Sequence, residues 1–251
     1  MAYSSKNLTS TLFLDIETVS EFPDYESLPA VFKELWDKKA VRINPESATD
    51  LLLRDKIYKN NAAIYAEFGK IVCISVGYIN SDKQIRAKSF AGHDEKQILE
   101  EFTALISQHF DDPKSYFFCG HNIKEFDIPY ICRRMVKHGV TMPHMLDIAG
   151  KKPWQTEQLM DTLDLWRFGD IKGYTSLALI CAVLGIESPK SDLDGSKVGP
   201  VYYEDQDLER IVSYCVEDVI ATMKVMFKFL NVPMITDEDI QIIPWKEPEI
   251  D

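Results

Sequence analysis

The sequence feature that most constrains this chain is an apolar run that ends in two carboxylates. The run is Thr11–Ser20, TLFLDIETVS, and its acids Asp15 and Glu17 are two residues apart. If Leu12–Ile16 is a buried strand, both acids project from the same face, about 7 Å apart along the strand. Two such acids can bind one hard cation or a bridged pair. The alternative is that they simply end a strand and begin a loop, because short motifs often match by accident.

Length and hydropathy favour a soluble α/β domain. The 251 residues, 45% of them hydrophobic, supply enough apolar material for one large domain. The length alone would also permit two domains, and we favour one, spanning residues 1–251. The chain has no apolar run near 18 residues and no export signal, so we expect a soluble, unexported protein with no membrane partner.

The cysteines indicate the redox state of the protein's compartment, and the net charge limits the kinds of partner that it can bind. The five cysteines form no C-x-x-C pair and lie in apolar segments, as buried free thiols do, which predicts a reducing, cytoplasmic setting. A net charge of −12 argues against broad coating of phosphate backbones, which depends on Lys and Arg. Any nucleic-acid site would therefore have to be confined to one pocket, in which bound divalent cations make the local electrostatic potential positive.

Hydrophobic periodicity predicts which segments form strands and which form helices. Residues 20–60 are a helical insertion, and β-branched runs at Lys70–Ile79 and Gln84–Phe90 predict an antiparallel hairpin. Apolar spacing predicts three long helices: Glu95–Phe110, Tyr174–Leu184 and Asp205–Leu230.

Shorter segments complete the predicted organisation. We expect strands at Ser115–Cys119 and in the segment MLDIAG, residues 145–150. Residues 186–203 are predicted to form a Gly- and Pro-rich loop near the site. The acidic tail, residues 232–251, is expected to wrap the surface.

The second informative stretch is GHNIKEFDIPYICRR, residues 120–134, in which a strand ends and a helix begins near Pro129. Asp127 stands at the helix entrance, where it could cap the helix or lie beside Asp15. Arg133 and Arg134 could reach phosphate or form a solvated helix face. A hydrogen-bonded structural role is the more frequent one for an isolated histidine such as His121.

The third stretch is the last predicted helix, where Tyr214 and Asp218 are one turn apart on the same face. They can point at one site, although a core-edge tyrosine with an exposed acid is the more frequent explanation of this spacing. Asp161 and Asp164, among large apolar residues of Met160–Phe168, are interpreted as surface acids.

The three stretches together resemble the DEDD exonucleases. D-x-E, H-N-x-x-x-F-D-x-P and Y-x-x-x-D occur in that order, and Ser213 in place of a histidine selects the tyrosine-bearing DEDDy branch. EFGKIVCISVGY, LMDTLDLWRF and SPKSDLDGSKV narrow the resemblance to predicted 3′–5′ exonucleases related to the proofreading domain of family-B DNA polymerases. The resemblance implies a ribonuclease H-like α/β fold: a central mixed sheet, its first three strands antiparallel, flanked by helices.

By position, Asp15, Glu17, Asp127 and Asp218 are the family's acids and Tyr214 its tyrosine. Two carboxylates 4 Å apart repel by about 4 kcal/mol at an effective dielectric of 20, so four in one pocket need protons or cations. Oxygen ligands favour two Mg²⁺ or Mn²⁺ ions over zinc. By hypothesis, Asp15 bridges both ions, Glu17 and Asp218 bind the one carrying the attacking water, Asp127 supports the other and Tyr214 orients the water.

The resemblance implies hydrolysis from the 3′ end of a single-stranded nucleic acid, with DNA favoured and RNA as the alternative, because no residue can be identified from the sequence as reading a 2′-hydroxyl. His121, Asn122, Phe126 and Arg133 are candidate substrate contacts, and the sequence identifies no polymerase or helicase partner. One alternative is a catalytically silent module of the same fold that binds strand ends, whose sign would be a missing carboxylate. A second is a structural α/β domain, which would show no metal-dependent shift in melting temperature.

Overall fold

A mixed β-sheet forms the centre of the molecule. The computed structural model describes residues 3–80, 82, 84–170, 173–187 and 193–247. The strands in these ranges are Thr11–Ser20 (β1), Gly69–Ile79 (β2), Ile85–Ala91 (β3), Phe117–Gly120 (β4), Leu159–Asp161 (β5) and Ile240–Ile242 (β6). They lie in the order β5-β4-β1-β2-β3-β6.

Helices cover both faces of this sheet. They are Ala30–Ile43 (α1), Leu51–Asn61 (α2), Glu95–His109 (α3), Asp127–His138 (α4), Thr162–Arg167 (α5), Leu177–Leu184 (α6), Val198–Pro200 (α7), which leads into a π-helical turn at Val201–Asp205, and Leu208–Leu230 (α8). In the described ranges, no helix is both long and apolar enough to cross a lipid bilayer.

The sheet topology confirms the predicted arrangement of the first strands. β1 pairs antiparallel with β2, and β2 pairs antiparallel with β3. On its other side β1 pairs in parallel with β4, which pairs in parallel with β5. β1 is therefore a central strand with neighbours on both sides, which explains its long apolar sequence.

The alternation of side chains along β1 decides which face carries the acids. Leu12 and Leu14 pack into the core beneath α3 and α4, whereas Phe13 packs against side chains of α8. Since alternate residues share a face, Asp15 and Glu17 lie on the same side as α8. The pairing register shifts immediately after Glu17, a β-bulge of the kind that often re-aims side chains beside active sites.

The helical insertion has an apolar core of its own. Trp36 is fully buried there, and its ring meets Tyr58 and Phe68 edge to face at centroid distances of 5.1 and 5.0 Å. In the structure the insertion predicted at residues 20–60 extends to a short 3-10 turn, Ala62–Ile64, which four residues separate from β2. The insertion is therefore packed by its own apolar side chains as well as by contacts with the central sheet.

A buried ion cluster joins the end of β1 to α3 and α4. Arg134 is 1% exposed and donates hydrogen bonds to the carboxylates of Glu95 and Glu21 and to the Ala66 carbonyl. Glu95 also accepts from the Ile71 amide at 2.7 Å. Both interpretations of Arg134 from the sequence, a phosphate contact or a solvated helix face, are therefore wrong: a buried carboxylate binds it instead.

Three other predictions of secondary structure need correction. The strand predicted at residues 145–150 is wrong, because Asp111 accepts a hydrogen bond from the Met145 amide and the chain turns there; the fifth strand lies at Leu159–Asp161 instead. Part of the predicted loop 186–203 is helical from Val198, while 188–192 lie outside the described residues. The tail does not only wrap the surface, because Ile240–Ile242 pairs in parallel with β3.

Replacing Arg134 with alanine should destabilise the fold, because the Glu95 carboxylate would stay buried without its main partner. Removal of one member of a buried ion pair costs about 3–5 kcal/mol. Urea unfolding followed by circular dichroism measures this free energy of unfolding. Arg133→Ala, at the exposed neighbouring position, is the matched control and should change it by less than about 0.5 kcal/mol. Equal losses in the two variants would contradict the role given to Arg134.

Candidate active site

Four carboxylates and a tyrosine meet in one cavity of about 650 Å³. The cavity lies where β1, the start of α4 and the first half of α8 come together. The side chains that the sequence analysis selected for the site line it: Asp15, Glu17, Asp127, Tyr214 and Asp218. The structure thus brings together residues that are up to about 200 positions apart in the chain.

Asp127 is held against β1 rather than used to cap its own helix. Its Oδ1 accepts a hydrogen bond from the backbone amide of Ile16 at 3.2 Å. Phe126 is the N-cap of α4, and no side chain caps that end. The amide of Ile16, which stands between Asp15 and Glu17, thereby holds Asp127 of the second motif beside the D-x-E motif.

The third motif approaches from α8. Tyr214 and Asp218 lie one turn apart on the same face of this helix, and both side chains line the cavity. Between them, the buried Cys215 thiol lies 3.6 Å from Oδ2 of Asp15. One ligand atom each of Asp15, Glu17 and Cys215 lies within 4.8 Å of the others.

Comparison with known proteins identifies the family. Residues 63–240 match the model of a family described as a predicted 3′–5′ exonuclease related to the exonuclease domain of PolB. The chain belongs to this family. The matched span contains Asp127, Tyr214 and Asp218 and begins after β1 and most of the insertion. No curated protein matches the chain.

A solved structure shows the fold independently. The chain is similar to the family B DNA polymerase from the hyperthermophilic archaeon Pyrobaculum calidifontis, with a TM-score of 0.54 and 17% sequence identity. The similarity covers 88% of this chain and 24% of the polymerase chain. The chain therefore spans about a quarter of that polymerase's length. This member of the PolB-related exonuclease family has the expected α/β architecture, consistent with a ribonuclease H-like fold.

Burial and mutual repulsion set the charge state of the acids in this exonuclease-family site. Burial raises the pKa of Asp127 to about 7 and that of Asp218 to about 6. Burial and the neighbouring carboxylates together raise the pKa values of Asp15 and Glu17 well above the usual range. Burial also raises the pKa of Tyr214, so it stays a neutral phenol that can donate but not act as a base near pH 7.

The donors of the cavity fit hard divalent cations. In the described part of the chain, no lysine or arginine lines it, so nothing there neutralises the acids. Four carboxylates present the oxygen ligands that Mg²⁺ and Mn²⁺ prefer. Burial raises the pKa of Cys215, which keeps it a thiol that can donate a weak hydrogen bond to Asp15.

The candidate substrate contacts divide into two groups. His121, Asn122 and Phe126 line the cavity. Nδ1 of His121 contacts the Thr162 hydroxyl and its Nε2 contacts the Thr175 carbonyl, both at 2.9 Å, so its hydrogen bonds already hold two loops together. Arg133 does not lie at this site: it lines a different, largely apolar cavity between α4 and the insertion.

Asp161, interpreted from the sequence as a surface acid, is buried and helps to build the site. Its carboxylate accepts hydrogen bonds from the amides of Asn122, Lys124 and Leu163. These bonds hold the loop that leads to Asp127, including Asn122 with its left-handed φ of 64°. Asp164 is partly exposed and pairs with Lys124, as a surface acid does.

Other lining residues were not selected from the sequence, among them Ile64, Tyr174 and a fifth acid, Asp194. Nothing in their local patterns marks the first two, because Ile64 ends the insertion and Tyr174 stands in an irregular segment. The available signal for Asp161 was the apolar pair Leu159-Met160 directly before it, just as the apolar residues Leu12–Leu14 directly precede Asp15 in β1.

The metal-free protein should lose stability as the pH rises from about 4 to about 7. In that window folded Asp127 and Asp218 keep protons that the unfolded chain has released, so deprotonation favours unfolding by about 1.4 kcal/mol per unit of pKa difference. Urea unfolding in EDTA at pH 5 and pH 8 measures the loss. Asp127→Asn, which can still accept from the Ile16 amide, should reduce it; an unchanged or larger loss would contradict the assigned charge states.

Proposed function

We propose that this protein is a metal-dependent 3′–5′ exonuclease that hydrolyses phosphodiester bonds at the end of a single strand, DNA in preference to RNA. The observation that carries the proposal is the convergence of four carboxylates and Tyr214 on one cavity with no basic lining residue in the described ranges. Such a group of acids repels a phosphodiester unless cations accompany it. Family membership supports the same reaction class.

Asp15, Glu17, Asp127 and Asp218 are the residues that would hold two Mg²⁺ or Mn²⁺ ions. When bound, such ions acidify an attacking water and stabilise the leaving oxygen of an in-line displacement at phosphorus. Asp15 interacts electrostatically with all three of the other acids, Asp127, Glu17 and Asp218. This central place suits it to contact both ions.

The contribution of Tyr214 is to position rather than to take up a proton. Its phenol is neutral near pH 7, and its side chain lines the cavity beside the four acids. The oxygen of the phenol hydroxyl keeps lone pairs with which it can accept a hydrogen bond from a water beside the acids. Water held in this way is aligned for attack without a basic side chain.

The first test is incubation of the purified protein with 5′-labelled single-stranded DNA and RNA in Mg²⁺, Mn²⁺ or EDTA. We expect a ladder that shortens from the 3′ end, appears with DNA first and disappears in EDTA. Asp15→Asn should reduce cleavage to background, because it removes the charge nearest to all the other acids. Glu100→Gln, an exposed acid on α3, is the matched control and should cleave normally.

The result that would overturn this function is the absence of cleavage with every substrate and metal ion while the protein is folded. A metal-dependent rise in melting temperature without cleavage would leave the metal site standing and favour the module that binds strand ends without cutting them. Full activity of Asp15→Asn would exclude this cavity as the active site.

Tyr214→Phe should lower kcat by roughly 10²-fold while KM changes little, because the water loses its alignment and the ligands stay in place. Steady-state kinetics on a single-stranded oligonucleotide measures both constants. Tyr203→Phe, whose hydroxyl donates to the Ser20 carbonyl outside the cavity, is the matched control. A change confined to KM would show that Tyr214 binds substrate instead.

A further inference from the structure

A second cavity, of about 850 Å³, lies between the insertion and α4. Most of its wall is apolar: the insertion contributes Phe32, α4 contributes Val136, and the segment after α4 contributes Met142. Among the described residues, none lines both this cavity and the carboxylate cavity. Its size and apolar wall are those of a binding site, and the carboxylate chemistry makes no use of it.

An exposed apolar stripe on α1 borders this second cavity. Val31, Phe32 and Leu35 stand at positions i, i+1 and i+4 of the helix, which places them on one side of it. Val31 is 67% exposed, and Val136, on the α4 side of the cavity, is 74% exposed. Together with the cavity, this stripe forms the α1–α4 face. Single exposed apolar residues are ordinary, but a groove beside such a stripe marks a docking surface.

The charges around the α1–α4 face are balanced, unlike those of the whole chain. In the described ranges, three acids and three bases line its cavity: Glu21, Glu67, Asp147, Arg133, Arg134 and Lys137. The chain carries a net charge of −12, so two copies of it repel each other over most of their surfaces. At this face that repulsion is absent. A strongly acidic or strongly basic partner would gain no local attraction here.

Half of these charges are not matched within the chain. Three of the six side chains pair with one another. For the other three, Arg133, Glu67 and Asp147, no ion pair is found among the described residues, and all three are exposed. A two-fold axis brings residue i of one copy to residue j of the other, and j to i. Arg133 of each copy can thereby meet Asp147 or Glu67 of the other, so the face is complementary to its own rotated image.

We propose that two copies of this protein associate through the α1–α4 face about a two-fold axis, the apolar stripe of each copy entering the cavity of the other. α1 has 14 residues and α4 has 12, so each is about 20 Å long. A face built on two such helices is at the small end of specific interfaces, which predicts a dimer with a Kd on the order of 10 µM. The association does not use the side chains of the carboxylate site, and it does not depend on the proposed exonuclease activity.

Sedimentation velocity of the full-length protein, at concentrations from about 1 to about 200 µM, brackets this Kd. We expect the weight-average mass to rise from that of one copy to that of two. Val136→Glu should raise the dimer Kd at least about tenfold, because it buries a charge against an apolar surface. Leu52→Glu is the matched control: it makes the same change at an exposed apolar position of α2 outside the cavity and should leave the Kd unchanged.

Charge reversal tests the two-fold arrangement itself. Arg133→Glu should raise the Kd about tenfold, because it places like charges opposite each other across the interface. Addition of Asp147→Arg or Glu67→Arg, whichever acid Arg133 meets, should restore the Kd, since the same pair then forms with its charges exchanged. Thermal unfolding at low concentration verifies that each variant is folded.

A mass of one copy at every concentration would overturn the proposal, as would a dimer whose Kd responds to neither Val136→Glu nor Arg133→Glu. Failure of both added substitutions to restore the Kd would exclude the two-fold pairing. Binding of the apolar dye anilinonaphthalene sulfonate identifies other occupants. If the protein stays monomeric and Val136→Glu abolishes dye binding, the cavity takes a small apolar molecule or a different protein, and self-association is wrong.

Discussion

Mutual repulsion among four carboxylates, of which Glu17 and Asp127 are buried and Asp15 and Asp218 partly buried, is the constraint on which the rest of the site depends. The pKa values of Asp15, Glu17, Asp127 and Asp218 are all raised, so folding must hold together groups that would separate if they were free. The same chain neutralises Glu95 with Arg134 a short distance away. Among the described residues no ion pair is found for these four acids, which leaves their charge available to cations; a fifth acid of the cavity, Asp194, pairs with Lys197.

Strand pairing and side-chain hydrogen bonds hold these acids close to one another. β1 is paired on both sides, so the backbone of Asp15 and Glu17 cannot relax away from the cluster. The Ile16 amide binds Asp127, and Asp161 holds the loop that carries it. Each support acts on backbone geometry, because side-chain contacts alone would have to overcome the repulsion directly. The positions of the acids are therefore set by the protein's own backbone and hydrogen bonds.

Local patterns predicted the elements that local physics controls. The alternation along β1 placed Asp15 and Glu17 on the same face of that strand, as in the structure. The helical spacing placed Tyr214 and Asp218 on the same face of α8, again as in the structure. The prediction failed where a distant partner decides the outcome. Arg134 is buried because Glu95 lies beneath it, and β6 exists because the edge of β3 is free to pair. No window of sequence around either residue contains that information.

The insertion shows the same limit of prediction from local sequence. Its sequence predicted helices, but its place at the cavity follows from the two hydrogen bonds to the Ala63 carbonyl, one from β1 and one from α4. The family match begins at residue 63, so most of the insertion lies outside the matched span while the later acids lie within it. Trp36 and its neighbours form a cluster of buried side chains that is separate from the cluster around Leu12 and Leu14. The two hydrogen bonds to the Ala63 carbonyl therefore connect two parts of the molecule that have different apolar cores.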